Sequence, residues 1–143
     1  MRNMAQTEIF APFVGTMLLT MVVWLYMYAR RIPFIVGGKL TPPQLTPLEF
    51  ARLSPPRVAN PSDNLKNLFE LPAIFYAVVL YLYAMNQVDA LHVAAAWVFF
   101  AFRILHSAVH CTFNLVPLRF WLYAVSAVAL WLMVIRAAWR LFM

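Results

Sequence analysis

The chain has 143 residues, of which 64% are hydrophobic and only 11% charged. A soluble domain is about half apolar and about a quarter charged, so a water-soluble fold of this size is excluded and the polytopic membrane class remains. The formal net charge of +6 and the pI near 10.0 invite a nucleic-acid reading, but the basic residues are spaced out, proline-broken and adjacent to apolar runs, so anionic lipid headgroups are the expected partner and nucleic acid is not.

Apolar run lengths predict an all-α integral membrane protein, a four-helix bundle in one domain, with spans over about 9–29, 67–86, 90–111 and 117–137. The first run carries no charge over 21 residues, enough to cross a hydrocarbon core of about 30 Å. It is too long for a cleavable leader and lacks a small-residue cleavage site. Between the first two spans lies the one long connection, 31–63, which holds most of the ten prolines. Proline fixes φ and lacks an amide donor, so a regular helix is not expected across most of it. Phe34, Ile35, Leu48, Phe50 and Leu53 give this loop something to bury, which favours an ordered cap over the cytoplasmic mouth, with a floppy loop as the plainer alternative. Arg30, Arg31, Lys39, Arg52, Arg57 and Lys66 outnumber Glu49 and Asp63 here, so the positive-inside rule places the 31–63 loop in the cytoplasm and both chain ends opposite. Arg2, Arg136 and Arg140 weaken that placement without reversing it.

The second and third spans are separated only by 86–89 and form a tight antiparallel hairpin. The start of the second, the end of the third and the start of the fourth therefore share one membrane face. The residues from Ala90 to Phe102 include no Asp, Glu, Lys or Arg, and then Arg103 appears, followed by His106 and His110 at helical offsets. An ionisable residue inside a span is a functional-site hypothesis by default. Pro117 suits the first turn of the fourth span, with Arg119 and Tyr123 one turn apart. Lys66, Asn67, Glu70, Arg103, His106, His110, Asn114, Arg119 and Tyr123 would surround one polar pocket suited to a small anionic ligand.

Plainer readings accompany these. Arg103 can pair with Glu70 solely to hold two helices together. His106 and His110 are four apart and followed by Cys111, but no second cluster supplies a metal or haem, so no metal site is assigned. His92 reads as interfacial, Arg136 and Arg140 as snorkelling anchors beside Trp131 and Trp139, Ser107 as bonding back within its own helix, and Cys111 as a boundary residue rather than a nucleophile. As the sole cysteine it excludes an internal disulfide.

The run Asn60-Pro61-Ser62-Asp63-Asn64-Leu65-Lys66-Asn67-Leu68-Phe69-Glu70-Leu71-Pro72, together with Arg103, His106 and Arg119, resembles the MAPEG family, the membrane-associated proteins of eicosanoid and glutathione metabolism. The resemblance implies glutathione as co-substrate, a lipophilic small molecule or lipid as second substrate, and a homotrimer with glutathione between adjacent subunits. It further implies that Asn67, Glu70, Arg103, His106 and Lys66 hold the tripeptide, that His110 and Tyr123 complete the wall around it, and that Arg119 stands beside the thiol sulfur and activates it. Lys66 stands where the family often has arginine, and His110 where some members have tyrosine. The implied activity is addition of glutathione thiolate to a lipophilic electrophile or reduction of a lipid hydroperoxide. A cavity between the first and fourth spans, open to lipid, is expected to admit that substrate. The rival is a non-catalytic protein of the same architecture that binds lipid or a partner.

Overall fold

A computed structural model of the chain describes residues 6–142, so Arg2 lies outside the described residues. Among the described residues, five α-helices follow one another: α1 (Phe10–Gly37), α2 (Pro47–Leu53), α3 (Pro56–Ala84), α4 (Ala90–Cys111) and α5 (Val116–Phe142), with a 3-10 turn at Pro42–Leu45 before α2. Among them α1, α3, α4 and α5 are long and apolar enough to cross a membrane.

The 31–63 stretch is far more helical than its prolines suggest. The 28 residues of α1 run through Pro33 and reach about 42 Å at 1.5 Å per residue, beyond the hydrocarbon core. Pro33 falls within the last turns, where little helix remains to disrupt. The helix stops where Lys39 takes a left-handed φ of 49°, with the Leu40 amide bonding the Ile35 carbonyl and the Lys39 amide the Val36 carbonyl. That pair of bonds is the Schellman arrangement, which satisfies carbonyls left over at a helix end.

Both α2 and α3 begin with proline in the first turn, where an amide is not needed. Helix α3 therefore starts three turns earlier than expected and continues through Pro61 and Pro72. Its buried face explains the tolerance: Val58, Pro61, Asn64, Leu68, Leu71 and Phe75 pack inward. An aromatic anchors the segment over this end. Phe50 is buried, with the Arg31 guanidinium 4.5 Å above its ring and Phe34 edge-on at 5.9 Å. Leu48 and Leu53, however, stay exposed.

The bundle centre is the stack of Phe75 on α3 against Phe99 on α4, centroids 4.3 Å apart at 19°. Val79, Leu82, Ala96, Leu130 and Met133 fill the layers around it. Small side chains at Ala95, Ala96 and Ala129 let α4 lie close to α5, its most extensive neighbour. Gly15 serves α1 likewise, since a Cβ there would sit 2.6 Å from the Phe100 ring. Helix α1 packs on α3 and α4, while α5 packs on α3 and α4 from elsewhere. The first and last spans thus flank the bundle, and among the described residues they do not pack together to enclose the expected cavity. What forms instead is an apolar groove between α1 and α4, about 340 Å³, lined by residues including Val22, Tyr26, Ile104, Ser107 and Cys111. The outward faces remain apolar, with Met17, Val22 and Leu25 on α1 and Val128, Ile135 and Trp139 on α5 exposed, as a surface facing acyl chains or other helices requires.

The far end is closed by a polar latch. Asp89 caps α4 by accepting the His92 amide at 3.0 Å, and its other oxygen accepts Arg136 Nη2 and Arg140 Nη2, each at 2.6 Å. Arg140 Nη1 also donates to the Gln87 carbonyl at 2.8 Å. Arg136 and Arg140 are therefore tied to the α3–α4 turn rather than free snorkelling anchors. His92, in the first turn of α4, is fully buried beside the latch. Its Nδ1 is 3.0 Å from Asp89 Oδ1 but too poorly aligned to bond, so the backbone amide is the partner that counts. Partial burial alone would raise the Asp89 pKa, but the His92 amide and the two guanidiniums outweigh it and hold the carboxyl down at about 2.

Candidate functional site

At the opposite end, three helices bring polar side chains to one recess of about 230 Å³. Asn67 and Glu70 of α3, His106 of α4, and Val116, Arg119, Phe120 and Tyr123 of α5 line it. Arg103 lies behind this wall with no exposed surface. Its Nη2 donates to the Asn67 carbonyl at 2.8 Å, and its guanidinium carbon stands 5.5 Å from the centre of the Tyr123 ring. Nε and Nη1 are buried and have no hydrogen-bond partner among the described residues. Glu70 is exposed at the rim and makes no ion pair with Arg103 among the described residues. The helix–helix lock considered for Arg103 is thus made through a backbone carbonyl, not a carboxylate.

His106 is buried and its Nδ1 lies 3.1 Å from the Arg119 carbonyl. A carbonyl only accepts, so Nδ1 carries the proton and Nε2 is left as a buried acceptor without a partner. The Tyr123 ring is 5.8 Å away, so imidazole, phenol and guanidinium share one cluster. His110 stands edge-on behind His106 at 5.6 Å, buried and off the recess wall. Lys66 also lies off the wall. It is exposed and paired with Asp63 at 2.9 Å, three residues before it, instead of reaching Glu70.

Arg119, at the rim, is held by a chain of amides. Its Nη1 donates to Asn114 Oδ1 at 2.6 Å, and Asn114 Nδ2 donates to Asn60 Oδ1 at 3.1 Å. Asn114 adopts a left-handed φ of 47° at the α4–α5 turn, a conformation asparagine tolerates better than most residues. Deeper on α3, Asn64 is fully buried, accepting from Ser107 Oγ at 3.3 Å and donating to Cys111 Sγ at 3.4 Å. Ser107 therefore bonds across to α3 rather than back within α4. Asn60, Asn64 and Asn67 follow one another at offsets of four and three, a polar stripe on one helix face. That spacing was the signal for Asn60, which a reading of charged residues passes over. Among the described residues, no group of three or more His, Cys, Asp or Glu side chains is arranged to hold a metal ion.

Chemically, the recess offers guanidinium donors, an amide side chain, a phenol, an imidazole acceptor and one rim carboxylate. Unpartnered buried donors such as Arg103 Nε and Nη1 carry a desolvation penalty unless something anionic or polar completes them. Fold and site together define a multi-pass helical membrane protein with a basic, imidazole-lined recess at one end of its bundle. The model of the MAPEG family matches residues 9–139, nearly the whole chain, and the protein belongs to that family of membrane proteins in eicosanoid and glutathione metabolism. No curated protein and no solved structure matched the chain.

Proposed function

We propose that the recess binds glutathione and ionises its thiol for attack on a lipophilic substrate. The observation that carries this reading is the fully buried Arg103, with two guanidinium nitrogens unsatisfied, directly behind a recess rimmed by a second arginine, Arg119. The tripeptide carries two carboxylates, one ammonium and one thiol. Arg103, His106 and the Asn67 side chain suit its polar backbone, Glu70 suits the ammonium, and Tyr123 offers a flat face.

Arg119 takes the sulfur. A guanidinium beside a thiol favours the charged form, so the proton leaves to water and the thiolate persists at neutral pH. The first turn of α5 adds the positive end of its helix dipole. The thiolate then adds to the electrophile, forming a carbon–sulfur bond as a π bond or the bond to a leaving group breaks, or attacks the terminal hydroperoxide oxygen as the O–O bond breaks and the alkoxide leaves, taking a proton from water to become the alcohol. In the second case another glutathione resolves the sulfenic product to disulfide. Positioning and electrostatics supply the rate, without a covalent enzyme intermediate.

At about 230 Å³ the recess is smaller than the ~300–1,000 Å³ usual for a ligand of this size. A neighbouring copy would complete it, as in the homotrimer that the family resemblance implies. His110 then serves as packing behind His106, and Lys66 acts only at the rim. The excess of Arg30, Arg31, Lys39, Arg52, Arg57 and Lys66 around this end supports a cytoplasmic recess with both chain ends opposite.

The test is a calorimetric glutathione titration of detergent-solubilised protein, followed by the ultraviolet thiolate band of the complex. Wild type is expected to bind and to show the band. Arg119→Ala is expected to bind within about fivefold, lose the band and lose turnover by roughly 100-fold or more. A wild-type complex with no thiolate, or an Arg119→Ala protein with wild-type turnover, would refute the activation chemistry and leave a binding protein.

A further inference from the structure

The amide chain from α3 through the α4–α5 turn to α5 has a polarity that a mere tether does not need. A guanidinium only donates, so Asn114 must turn its Oδ1 to Arg119, which points its Nδ2 toward α3, where Asn60 Oδ1 accepts it at 3.1 Å. The Oδ1 of Asn114 faces Arg119 Nη1 at the short 2.6 Å of a charge-assisted bond. Flipping the Asn114 amide would set NH2 against the guanidinium and carbonyl against carbonyl, so only one orientation satisfies both neighbours. The left-handed backbone of Asn114, secured by its amide on the Val109 carbonyl at 2.8 Å, fixes where that side chain starts.

We propose that Asn114, oriented by Asn60, is a positioning residue that aims the Arg119 guanidinium at the recess and so sets how strongly a bound thiol is ionised. The inference rests on the thiol-activating reading given above. An arginine side chain has four rotatable torsions and loses rotamer freedom when it is fixed, so a partner that holds it in place favours the aimed conformation. With one nitrogen held by a neutral amide, the guanidinium keeps its full charge and its remaining donors for the ligand. A carboxylate at position 114 would hold it equally well but would neutralise the charge that the sulfur needs. Position 114 therefore calls for an amide, and a left-handed turn makes asparagine the residue that supplies both.

The test compares wild type with Asn114→Gly and Asn60→Ala. Glycine keeps the left-handed backbone while deleting the amide. Each protein is titrated with glutathione by calorimetry, and the thiolate band of its complex is followed against pH. For Asn114→Gly we expect a dissociation constant within about threefold of wild type and a bound-thiol pKa about one unit higher, a roughly tenfold smaller thiolate fraction at a fixed pH well below both pKa values. Asn60→Ala is expected to shift in the same direction by less. If both variants titrate their bound thiol as wild type does, the amide chain is a structural tether and the proposal fails. Should Asn114→Gly not fold, Asn60→Ala decides alone, because it lies on a separate helix. Wild type that forms no thiolate refutes the underlying activation reading, and this inference with it, whereas a wild-type thiolate unmoved by either substitution refutes the positioning role only.

Discussion

Replacing Arg103 by methionine separates stability from ligand binding, because the two respond to this residue in opposite directions. The side chain is fully buried, makes one hydrogen bond to the Asn67 carbonyl at 2.8 Å and stands 5.5 Å from the Tyr123 ring centre. Losing those contacts costs about 1.5–3 kcal/mol for a bond to a charged donor and about 0.5–2 kcal/mol for the ring. Removing the charge from a buried position regains several kcal/mol of desolvation, and hydrophobic replacements of buried ionic groups are often neutral or stabilising by about 1–4 kcal/mol. Methionine matches the length and flexibility of the stem. The expected melting temperature is therefore unchanged or raised by up to about 3 °C per kcal/mol gained. On the proposed reading glutathione would lose at least one charge-assisted bond, about 1.5–3 kcal/mol, and its dissociation constant would rise roughly 10- to 150-fold. Thermal melts in detergent, with and without glutathione, read both quantities. A protein that melts more than about 10 °C lower, yet binds glutathione as wild type once folded, would show that Arg103 is a helix lock and not a ligand group.

Two further expectations concern the rest of the bundle. Asp89→Asn keeps a good helix cap but removes the charge gripped by Arg136 and Arg140, a loss of about 1 kcal/mol after allowing for solvent screening at a partly exposed site. Because the folded carboxyl titrates near 2, below its ordinary value of 3.8, this contribution is complete above about pH 4 and is lost as the pH falls through about 2. Melts between pH 6 and 2 should show an acid-dependent gap between wild type and variant that closes at the lowest pH, and a constant gap would contradict the latch. Phe75→Ala empties the stack with Phe99 and is expected to cost about 3–5 kcal/mol, with glutathione affinity of the folded protein unchanged within about threefold. A large change in affinity at low temperature would mean that the core and the recess are coupled.

The four spans were legible because long charge-free runs have few alternatives in a chain this apolar. Arg103, His106, Asn67, Arg119 and Tyr123 were legible as neighbours because offsets of three and four fix a helix face and a hairpin brings two helix ends together. The ends of α1 and α3 were not, since a proline acts as a breaker only where no packed face supports the helix, and Val58, Pro61 and Asn64 supply that face. Pairing choices were likewise hidden. Lys66 had carboxylates at Asp63 and Glu70, and only side-chain direction selects the first. Arg103 chose a main-chain carbonyl, which carries no residue-type signal. Asp89 meets Arg136 and Arg140 from 47 and 51 residues away, a distance over which spacing says nothing.

Arg103 also bears on biogenesis. Helix α4 is the least hydropathic of the four spans, and a guanidinium at the middle of a lone helix costs about 2.5–3.5 kcal/mol on insertion scales. That helix has little reason to leave the translocation channel by itself. The short turn behind it, held by Asp89, keeps the Asn67 carbonyl of α3 on hand as a ready acceptor. The two helices are thus suited to enter the bilayer as one hairpin, the cation already sheltered before α5 arrives to close over it.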